Sequence, residues 1–364
     1  MSFLNIRKSP GTGLIIALVV LVISLFLRWI TPPESIEQWY SRGIFGWFRW
    51  IWDYSLGWSP LPLFFLFWLV VALLIVWWIR HIRRQSGIGQ KLLVASRNLL
   101  VFGSWLTVAF LWCWGFNYGR LPVERQLDFT TYEMPLEELI DSVRAGAIEV
   151  ASARAIYAGE DTTAMQLDRS PAEWESLIRP LVKQALIADG YPVPGRPRGR
   201  ILAPKGIILR FSASGVYWPW AAEGNVDAGN HPLIKGPILA HELAHAYGFG
   251  EEGTCSFWSW RAGNYAEDPL LRYAFQLHYW RELARKWLSV DREGYTKFYH
   301  EELAPGIRRD IIAIIENQRL YPDIMPQIRD VAYDAYLKAQ GVDDGLLSYR
   351  RVVKLVEGYK RKDR

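Results

Sequence analysis

Cysteine is scarce in this sequence, with two cysteines among 364 residues. Cys113 lies in an apolar segment and Cys255 lies far downstream, so a disulfide between them would have to link a membrane helix to a distant domain. We therefore expect no disulfide, although an extracytoplasmic compartment would permit one. The sequence also lacks internal repeats and low-complexity stretches, which excludes a repeat architecture.

Charged residues are few as well, at 22% of the chain against 51% hydrophobic residues, which is apolar for a soluble enzyme of this size. The first third contains three segments with almost no charge, each long enough to cross a hydrocarbon core of about 30 Å as a helix. We predict membrane-spanning helices over residues 14–30, 61–79 and 99–116. No small-residue cleavage site follows the first segment, where Arg28 and Trp29 lead into aromatic sequence, and this favours a retained anchor over a signal peptide.

Tryptophan, in contrast, is abundant, with 19 residues. Many tryptophans lie at or beside the ends of the predicted spanning helices, where amphipathic rings favour the lipid headgroup layer. They are Trp29, Trp39, Trp47, Trp50, Trp52, Trp58, Trp77, Trp78, Trp112 and Trp114. A Trp-rich packed core is the alternative, but the spacing follows the predicted membrane boundaries and favours interfacial positions.

Basic residues in the short flanking segments predict the orientation. Arg7 and Lys8 precede the first helix, and the link between the second and third helices carries Arg80, His81, Arg83, Arg84, Lys91 and Arg97. Both segments are predicted to be cytoplasmic, so residues 31–60 form an outer loop and everything after about Asn117 lies outside the cytoplasm. This flank explains much of the net charge of +5, so we expect a multi-pass protein of the cell membrane with the lipid bilayer, and no nucleic acid, as its partner.

The predicted organisation is a membrane domain over residues 1–117, a linker over 118–134 and an α+β domain over 135–364 in which helix predominates. Glycine and proline punctuation with β-prone runs predicts strands over residues 200–203, 206–211 and 215–220. Amphipathic periods, several begun by proline, predict helices over residues 135–157, 171–188, 237–249, 269–288, 305–316, 326–339 and 346–359.

The most informative motif is HExxH, formed by His241, Glu242, Leu243, Ala244 and His245. On a helix the two imidazoles lie one turn apart on the same face, close enough to bind one Zn²⁺. Glu242 then lies beside the open coordination position, where it is placed to act as general base toward a zinc-bound water. Without a metal, two histidines and a glutamate would be costly to bury in an otherwise apolar helix, so we expect Zn²⁺ as cofactor.

A zinc site of this kind needs a third protein ligand. Glu251 and Glu252 follow the turn at Gly248, and a turn lets the chain fold back toward the metal. Glu252 is the first candidate, Glu251 the second and Glu267 a distant third. A solvated acidic loop is the alternative interpretation of the pair.

The segment before the motif offers a place for substrate. Residues 215–220 could form an edge strand beside the helix, to which an extended peptide would pair by strand addition, although ordinary core packing fits the same pattern. Possible oxyanion donors, on residue type alone, are Tyr217, Asn225, Tyr247 and His278. Hydrogen-bonded core groups are the commoner role of such residues.

Several motifs together carry a family resemblance. They are HELAH with Gly248 and Phe249, the run Trp-Gly-Phe-Asn-Tyr-Gly-Arg at residues 114–120, residues 224–227, and a C-terminal signature at residues 333–338 and 348–353. With the three apolar helices, they make the chain similar to a bacterial family of membrane proteins, catalogued as a domain of unknown function, that looks like a gluzincin-type metallopeptidase. The resemblance implies a mostly helical, zincin-like domain with a small sheet and a peptidase-like activity class.

The sequence departs from this family after the second histidine. Family members usually continue Gly-Phe and then Glu-Asp-Glu-Ala-Asn-Phe, whereas residues 252–257 read Glu-Gly-Thr-Cys-Ser-Phe. Thr254 therefore stands where a later glutamate is expected. Either Glu252 or Glu251 replaces it as ligand or the site is weakened, and Cys255 is close enough to be an unorthodox ligand.

The leading hypothesis is a membrane-anchored zinc peptidase that acts on proteins or peptides near the outer membrane face. Its metal would be held by His241, His245 and Glu252. An intramembrane protease fits less well, because Lys235 and the glutamates after the motif interrupt the apolar run well below spanning length. The alternatives are an inactive zincin-like protein that binds an envelope partner, and a hydrolase of non-peptide amides.

Overall fold

The computed structural model describes residues 11–166, 169–325 and 351–362, and in addition positions 331, 335 and 338. Its helices in the membrane-proximal part are α1 (Thr12–Ile30), α2 (Pro33–Ser35), a π-helix (Ile36–Ile44), α3 (Phe45–Leu56), α4 (Leu63–Arg83), α5 (Ile88–Cys113) and α6 (Val123–Gln126). The remaining helices are α7 (Leu136–Ala158), α8 (Pro171–Ala188), α9 (Pro232–Ala246), α10 (Glu252–Gly263), α11 (Pro269–Val290), α12 (Arg292–Glu301), α13 (Pro305–Arg319) and a C-terminal helix (Val352–Lys360). The described part of the chain has one small sheet, so the predicted α+β class with predominant helix is confirmed.

The three predicted apolar helices are present as α1, α4 and α5, each long and apolar enough to cross a membrane. In the apolar stretch of each helix only 11–17% of the residues are buried inside the protein, so most of the helix surface is left for lipid. The third helix begins at Ile88 and not at residue 99. Hydropathy marks only the apolar part of a helix, whereas the backbone hydrogen bonding of α5 continues through Lys91 and Arg97.

The segment between α1 and α4, expected as a loop, is mostly helical. Its inner side packs on the sheet: Arg49 pairs with Asp53 at 2.6 Å, with both side chains at most 1% exposed. Arg49 also donates to the carbonyl of Ala222 at 2.7 Å, and Trp52 donates to that of Ala221 at 2.9 Å. Asp53 accepts the backbone N–H of Arg196 at 2.8 Å. Residues 33–56 are therefore bound directly to the downstream domain.

The sheet has the order β1-β3-β2, formed by Arg198–Leu202, Glu223–Asp227 and Gly215–Trp218. Strand β1 runs parallel to β3, and β2 runs antiparallel to β3 with Tyr217 opposite Gly224. Every residue of β3 is buried, as a central strand requires. The expected strands at 200–203 and 215–220 correspond to β1 and β2, whereas β3 lies in a segment expected as a loop.

The strand predicted over residues 206–211 is wrong, and the carboxylate of Asp227 explains why. This side chain accepts the backbone N–H groups of Gly206 at 2.8 Å, Ile208 at 2.8 Å, Leu209 at 3.1 Å and Gly229 at 2.7 Å. A β-prone run whose N–H groups converge on one carboxylate cannot pair with a strand. It forms instead a turn and a short 3₁₀ helix at Leu209–Phe211.

Membrane helices and sheet are in direct contact. The ring of Trp218, in β2, packs on three aromatic side chains in the first two turns of α4, with ring centroids 5.4–5.5 Å from Phe64, Phe67 and Trp68. Trp220, just beyond β2, donates its ring N–H to the carbonyl of Leu106 in α5 at 3.2 Å. The end of β2 and the turn after it thus contact both α4 and α5.

The helices of the domain follow the predictions closely, with three differences. Helix α9 begins at Pro232 and not at residue 237, because the side chain of His231 caps it by accepting the N–H of Leu233. Helices α10 and α12 were not predicted, and the expected linker over residues 118–134 contains α6 and buried apolar residues. The helix predicted over residues 326–339, residues 346–350 and most of the C-terminal signature lie outside the described residues.

The buried pair of Arg49 and Asp53 gives a test of how firmly residues 33–56 hold the domain. Arg49→Met removes the cation and leaves the Asp53 carboxylate buried without a counter-ion, so we expect the free energy of unfolding to fall by about 3–5 kcal/mol. Thermal unfolding of the full chain in detergent, followed by circular dichroism, measures this. The double variant Arg49→Met/Asp53→Leu is the control, since removing both charges should restore part of the loss; equal melting temperatures for wild type and Arg49→Met would contradict the interpretation.

Candidate metal centre

Helix α9 carries the HExxH motif through the middle of the domain, between the sheet and helices α8, α10 and α11. The rings of His241 and His245 lie one turn apart with centroids separated by 4.9 Å. The helix ends at Ala246 and is followed by Gly248, whose φ of 88° lies in the left-handed region that favours glycine. This terminus turns the chain back along the helix.

The turn brings Glu252, the first residue of α10, to both histidines. Its Oε2 atom lies 2.9 Å from Nε2 of His241 and 3.3 Å from Nε2 of His245. The Glu252 side chain is 4% exposed and the two imidazoles are 13% and 6% exposed. Three potential ligand atoms from two helices therefore converge on one buried point.

Glu251 faces a different way and has a structural role. Its carboxylate caps α10 by accepting the N–H of Gly253 at 2.9 Å and the N–H of Thr254 at 2.6 Å. The hydroxyl of Thr254 donates to the same carboxylate at 2.5 Å, so this residue also contributes to the cap. Glu267 is exposed in the turn between α10 and α11. Of the three glutamates considered from sequence, only Glu252 contacts the histidines.

The other nitrogen of each imidazole is already bonded. Nδ1 of His245 lies 2.7 Å from the carbonyl oxygen of Phe249, and Nδ1 of His241 lies 3.1 Å from the hydroxyl of Ser256. A carbonyl only accepts, so Nδ1 of His245 carries a proton, and Nε2 is the nitrogen left to face Glu252 or a metal. Hydrogen bonds of this kind fix the tautomer and ring orientation of metal-binding histidines.

A second possible ligand set includes the Cys255 thiol. Ligand atoms of His241, His245 and Cys255 lie within 4.8 Å of one another. The sulfur, however, lies 3.2 Å from Nδ1 of His245, on the side of the ring opposite Glu252, and 3.3 Å from the carbonyl oxygen of Phe249. A metal there would have to displace the hydrogen bond between His245 and Phe249. Burial also raises the pKa of Cys255 to about 12, which disfavours the thiolate that binds metals, so the geometry favours Glu252.

The side chain of Glu242 lies between the backbone of α9 and the sheet. Gly224 and Gly215 leave room for it: a Cβ at Gly224 would lie 2.8 Å from Cβ of Glu242, and one at Gly215 would lie 2.5 Å from its Oε1. The Oε2 atom is buried and has no hydrogen-bond partner. Burial raises the pKa of Glu242 to about 8, with His245 acting in the opposite direction. The sheet thus holds a carboxylate with an unused oxygen beside the two histidines.

The charges of the site are strongly coupled. Burial raises the pKa of Glu252, but His245 and His241 lower it by more, so that it lies well below the usual range. Burial lowers the pKa of His245, but Cys255 and Glu252 raise it well above its ordinary value. The pKa of His241 is lowered, chiefly by burial. In the metal-free site the imidazolium of His245 therefore keeps the Glu252 carboxylate ionised. A metal cation bound between the two side chains would stabilise the carboxylate in the same way.

The turn that delivers Glu252 is held by the membrane-proximal part of the chain. The ring N–H of Trp114, at the end of α5, donates to the carbonyl of His245 at 2.8 Å, and Arg120 donates to that of Gly248 at 2.9 Å. Glu37, from the π-helix, pairs with Arg120 at 2.7 Å. A Cβ at Gly248 would lie 2.8 Å from the ring of Phe45. The Trp-Gly-Phe-Asn-Tyr-Gly-Arg run, noted in the sequence only as a family feature, thus positions the end of the motif helix.

Two of the possible oxyanion donors, Asn225 and Tyr217, lie in the sheet. Asn225 donates its side-chain amide to the carbonyls of Val216 at 3.3 Å and Glu223 at 3.0 Å, within the sheet. Tyr217 packs on Trp114 and on His245, with ring centroids 5.1 Å and 6.4 Å away. The Asn225 amide is therefore engaged within the sheet, whereas the buried hydroxyl of Tyr217 has no hydrogen-bond partner.

Tyr247 and His278 complete the set of predicted donors. Tyr247 is buried at the end of α9, and burial raises its pKa to about 12. His278 lines a small cavity with Ser256 and Glu282, and its Nδ1 atom has no hydrogen-bond partner. Burial, with Arg281 and Arg285, lowers the pKa of His278 to about 3, so this imidazole is neutral.

The fold and the site define a membrane-anchored α+β protein in which an HExxH helix lies on a small sheet beside the spanning helices. The chain belongs to the family described as protein of unknown function (DUF3810), whose sequence model matches residues 40–356. This match includes α3, the Trp114 segment and the HExxH helix. Neither the curated proteins nor the solved structures provide a match to the chain.

The close approach of Gly224 to Glu242 is testable by substitution. In Gly224→Ala the new Cβ would lie 2.9 Å from the backbone carbonyl carbon and oxygen of Glu242. Backbone cannot give way as a side chain can, so α9 must move off the sheet, and we expect the variant to lose about 1–3 kcal/mol of stability. Thermal unfolding in detergent measures the loss. Gly89→Ala, where a Cβ meets nothing within 4 Å, is the matched control, and equal melting temperatures of the two variants would refute the steric argument.

Proposed function

We propose that this protein is a membrane-anchored zinc-dependent hydrolase, a peptidase of gluzincin type, with His241, His245 and Glu252 as metal ligands and Glu242 as general base. The observation that carries the proposal is the convergence of two imidazole Nε2 atoms on Oε2 of Glu252, at 2.9 Å and 3.3 Å. The zincin-like character of residues 135–364 is part of the same proposal.

The donor set fits Zn²⁺ in kind and in spacing. Structural and catalytic zinc sites take histidine nitrogen and carboxylate oxygen at about 2.0–2.2 Å, which separates neighbouring ligands of a tetrahedron by about 3.4 Å. The separation of 3.3 Å between Glu252 and His245 is of this size, and that of 2.9 Å between Glu252 and His241 is a hydrogen-bond distance that would lengthen around a metal. Both imidazoles have Nδ1 bonded, to Phe249 and Ser256, so that their Nε2 atoms are directed to one point. Three protein ligands leave a fourth position for water or substrate.

A Zn²⁺ ion held there would acidify a water molecule and polarise a substrate carbonyl. The contribution of the chain is Glu242. Its unpartnered Oε2 offers a proton acceptor next to the ligands, and the buried carboxylate can return that proton to the leaving amine. The absence of side chains at Gly215 and Gly224 lets this carboxylate lie against the sheet.

Strand β2 supports a peptide as substrate. It is the edge strand of the sheet on the side of Glu242, and an extended peptide can pair with such an edge through backbone hydrogen bonds. The packing of Trp218 on α4 places this edge next to the apolar helices. Proteins or peptides near the membrane surface are therefore the proposed substrates.

The contacts of residues 33–56 support an extracytoplasmic domain. Arg49 and Trp52 bond to Ala222 and Ala221, which requires the segment between α1 and α4 to lie on the same side of the membrane as the domain. Three crossings produce this arrangement, and the basic link between α4 and α5 then lies in the cytoplasm. The proposed topology has a cytoplasmic N-terminus and an extracytoplasmic domain.

The ligand assignment predicts the metal content of the full chain purified in detergent. Elemental analysis should find about one zinc per chain in the wild type and in Glu251→Gln, and a large loss in His245→Ala and Glu252→Gln. Glu251→Gln is the matched control, because it changes the neighbouring carboxylate, which caps α10. Loss of zinc in Glu251→Gln with retention in Glu252→Gln would reverse the assignment, and a metal-free wild type would favour an inactive, partner-binding protein.

The role of Glu242 is tested by separating metal binding from hydrolysis. Glu242→Gln keeps the size of the side chain but cannot accept the proton, so we expect full zinc content and a rate at least about 100-fold lower. The substrates to compare are quenched fluorescent peptide libraries and cell-wall fragments, each with the full chain in lipid nanodiscs. Cleavage of the fragments alone would identify a non-peptide amide as substrate, and unchanged activity in Glu242→Gln would exclude the residue as general base.

A further inference from the structure

Helix α3 buries both of its charged side chains and exposes several of its aromatic ones. Arg49 and Asp53 face the domain and are buried, and Phe45 on the same side is fully buried. The opposite side, here called the outer aromatic face, consists of Trp47 (72% exposed), Trp50 (54%), Ile51 (57%), Tyr54 (62%) and, after the helix, Trp58 (79%). At about 3.6 residues per turn these positions form one continuous stripe.

This distribution of charged and aromatic side chains is the reverse of that on a surface helix of a water-soluble protein. Such a helix turns its apolar stripe to the core and its charges to solvent. Burying the pair of Arg49 and Asp53 while leaving three tryptophans and a tyrosine uncovered would be unfavourable on both sides if the outer solvent were water. The described residues leave the outer aromatic face open.

The connections of α3 indicate what covers the face. The membrane-spanning helix α1 ends at Ile30, shortly before the π-helix, and α4 begins at Leu63, shortly after Trp58. Both ends of the segment are therefore held where spanning helices leave the membrane. Tryptophan and tyrosine are the residues enriched at that depth, where the ring meets acyl chains and the polar edge meets headgroups.

We infer that α3 lies along the membrane surface, with its outer aromatic face embedded in the boundary between headgroups and acyl chains of one leaflet. The occupant of the face is lipid. Its inner face, through Arg49 and Asp53, holds the turn between β2 and β3 and the start of β1. The segment is thus a surface anchor that fixes the sheet, and with it the HExxH helix, against the bilayer.

Spin-label accessibility in lipid nanodiscs tests this inference on the full chain. Single cysteines replace Trp47, Trp50 and Tyr54 in a Cys113→Ser background, with the remaining Cys255 fully buried. Oxygen partitions into lipid and a neutral nickel chelate into water, so their relative collision rates with the label report its surroundings. We expect all three labels to show a ratio of oxygen to nickel accessibility above one.

Two labels calibrate the measurement. Leu73→Cys, on an exposed position of α4, marks lipid, and Glu293→Cys, on an exposed position of α12, marks water. Nickel accessibility at the α3 labels as high as at residue 293 would overturn the inference, because the face would be in water. Low accessibility to both reagents would also overturn it, because the face would then be covered by protein, such as a second copy of the chain. Agreement of three separate positions guards against the distortion of any single one.

Discussion

Gly248 has a left-handed backbone conformation, and the reversal it permits carries Glu252 from the end of α9 back to His241 and His245. Without this reversal no carboxylate from α10 would lie beside the two histidines. The reversal is itself supported from outside the domain. Trp114 donates to the carbonyl of His245 in the last turn of the helix, and Arg120 donates to that of Gly248 in the turn that follows.

The membrane-proximal part and the domain are consequently one structure around the site. The end of α5 contacts the last turn of the motif helix, the π-helix supplies Glu37 to Arg120, and α3 supplies Arg49 to the sheet. Each contact joins a segment beside a spanning helix to an element that bears a site residue. A fragment that begins at Asn117 lacks Trp114 and Arg49, so work on the metal centre requires the whole chain.

Much of the architecture was predictable because its signals are local. Three apolar stretches identified α1, α4 and α5, and proline at first-turn positions identified most helices of the domain. The predictions that were wrong failed because contacts with residues distant in sequence decided the structure. Residues 206–211 look like a strand, but Asp227, distant in sequence, draws their N–H groups into a turn. Residues 31–60 look like a loop because the pattern of α3 is inverted, with its charges buried against the sheet and its aromatics exposed.

By itself the sequence determined the membrane helices, the helical class of the domain and the HExxH spacing, since each depends on residues near one another along the chain. For a third metal ligand it offered Glu252, Glu251 and, less favoured, Glu267 and Cys255. Only the tertiary structure distinguished them: Glu252 lies at the two Nε2 atoms, Glu251 caps α10, and Cys255 lies across the ring of His245. The physical reason is that these side chains are brought together in space by the left-handed conformation of Gly248. The hydrogen bonds of Trp114 and Arg120, more than a hundred residues away in sequence, hold that turn.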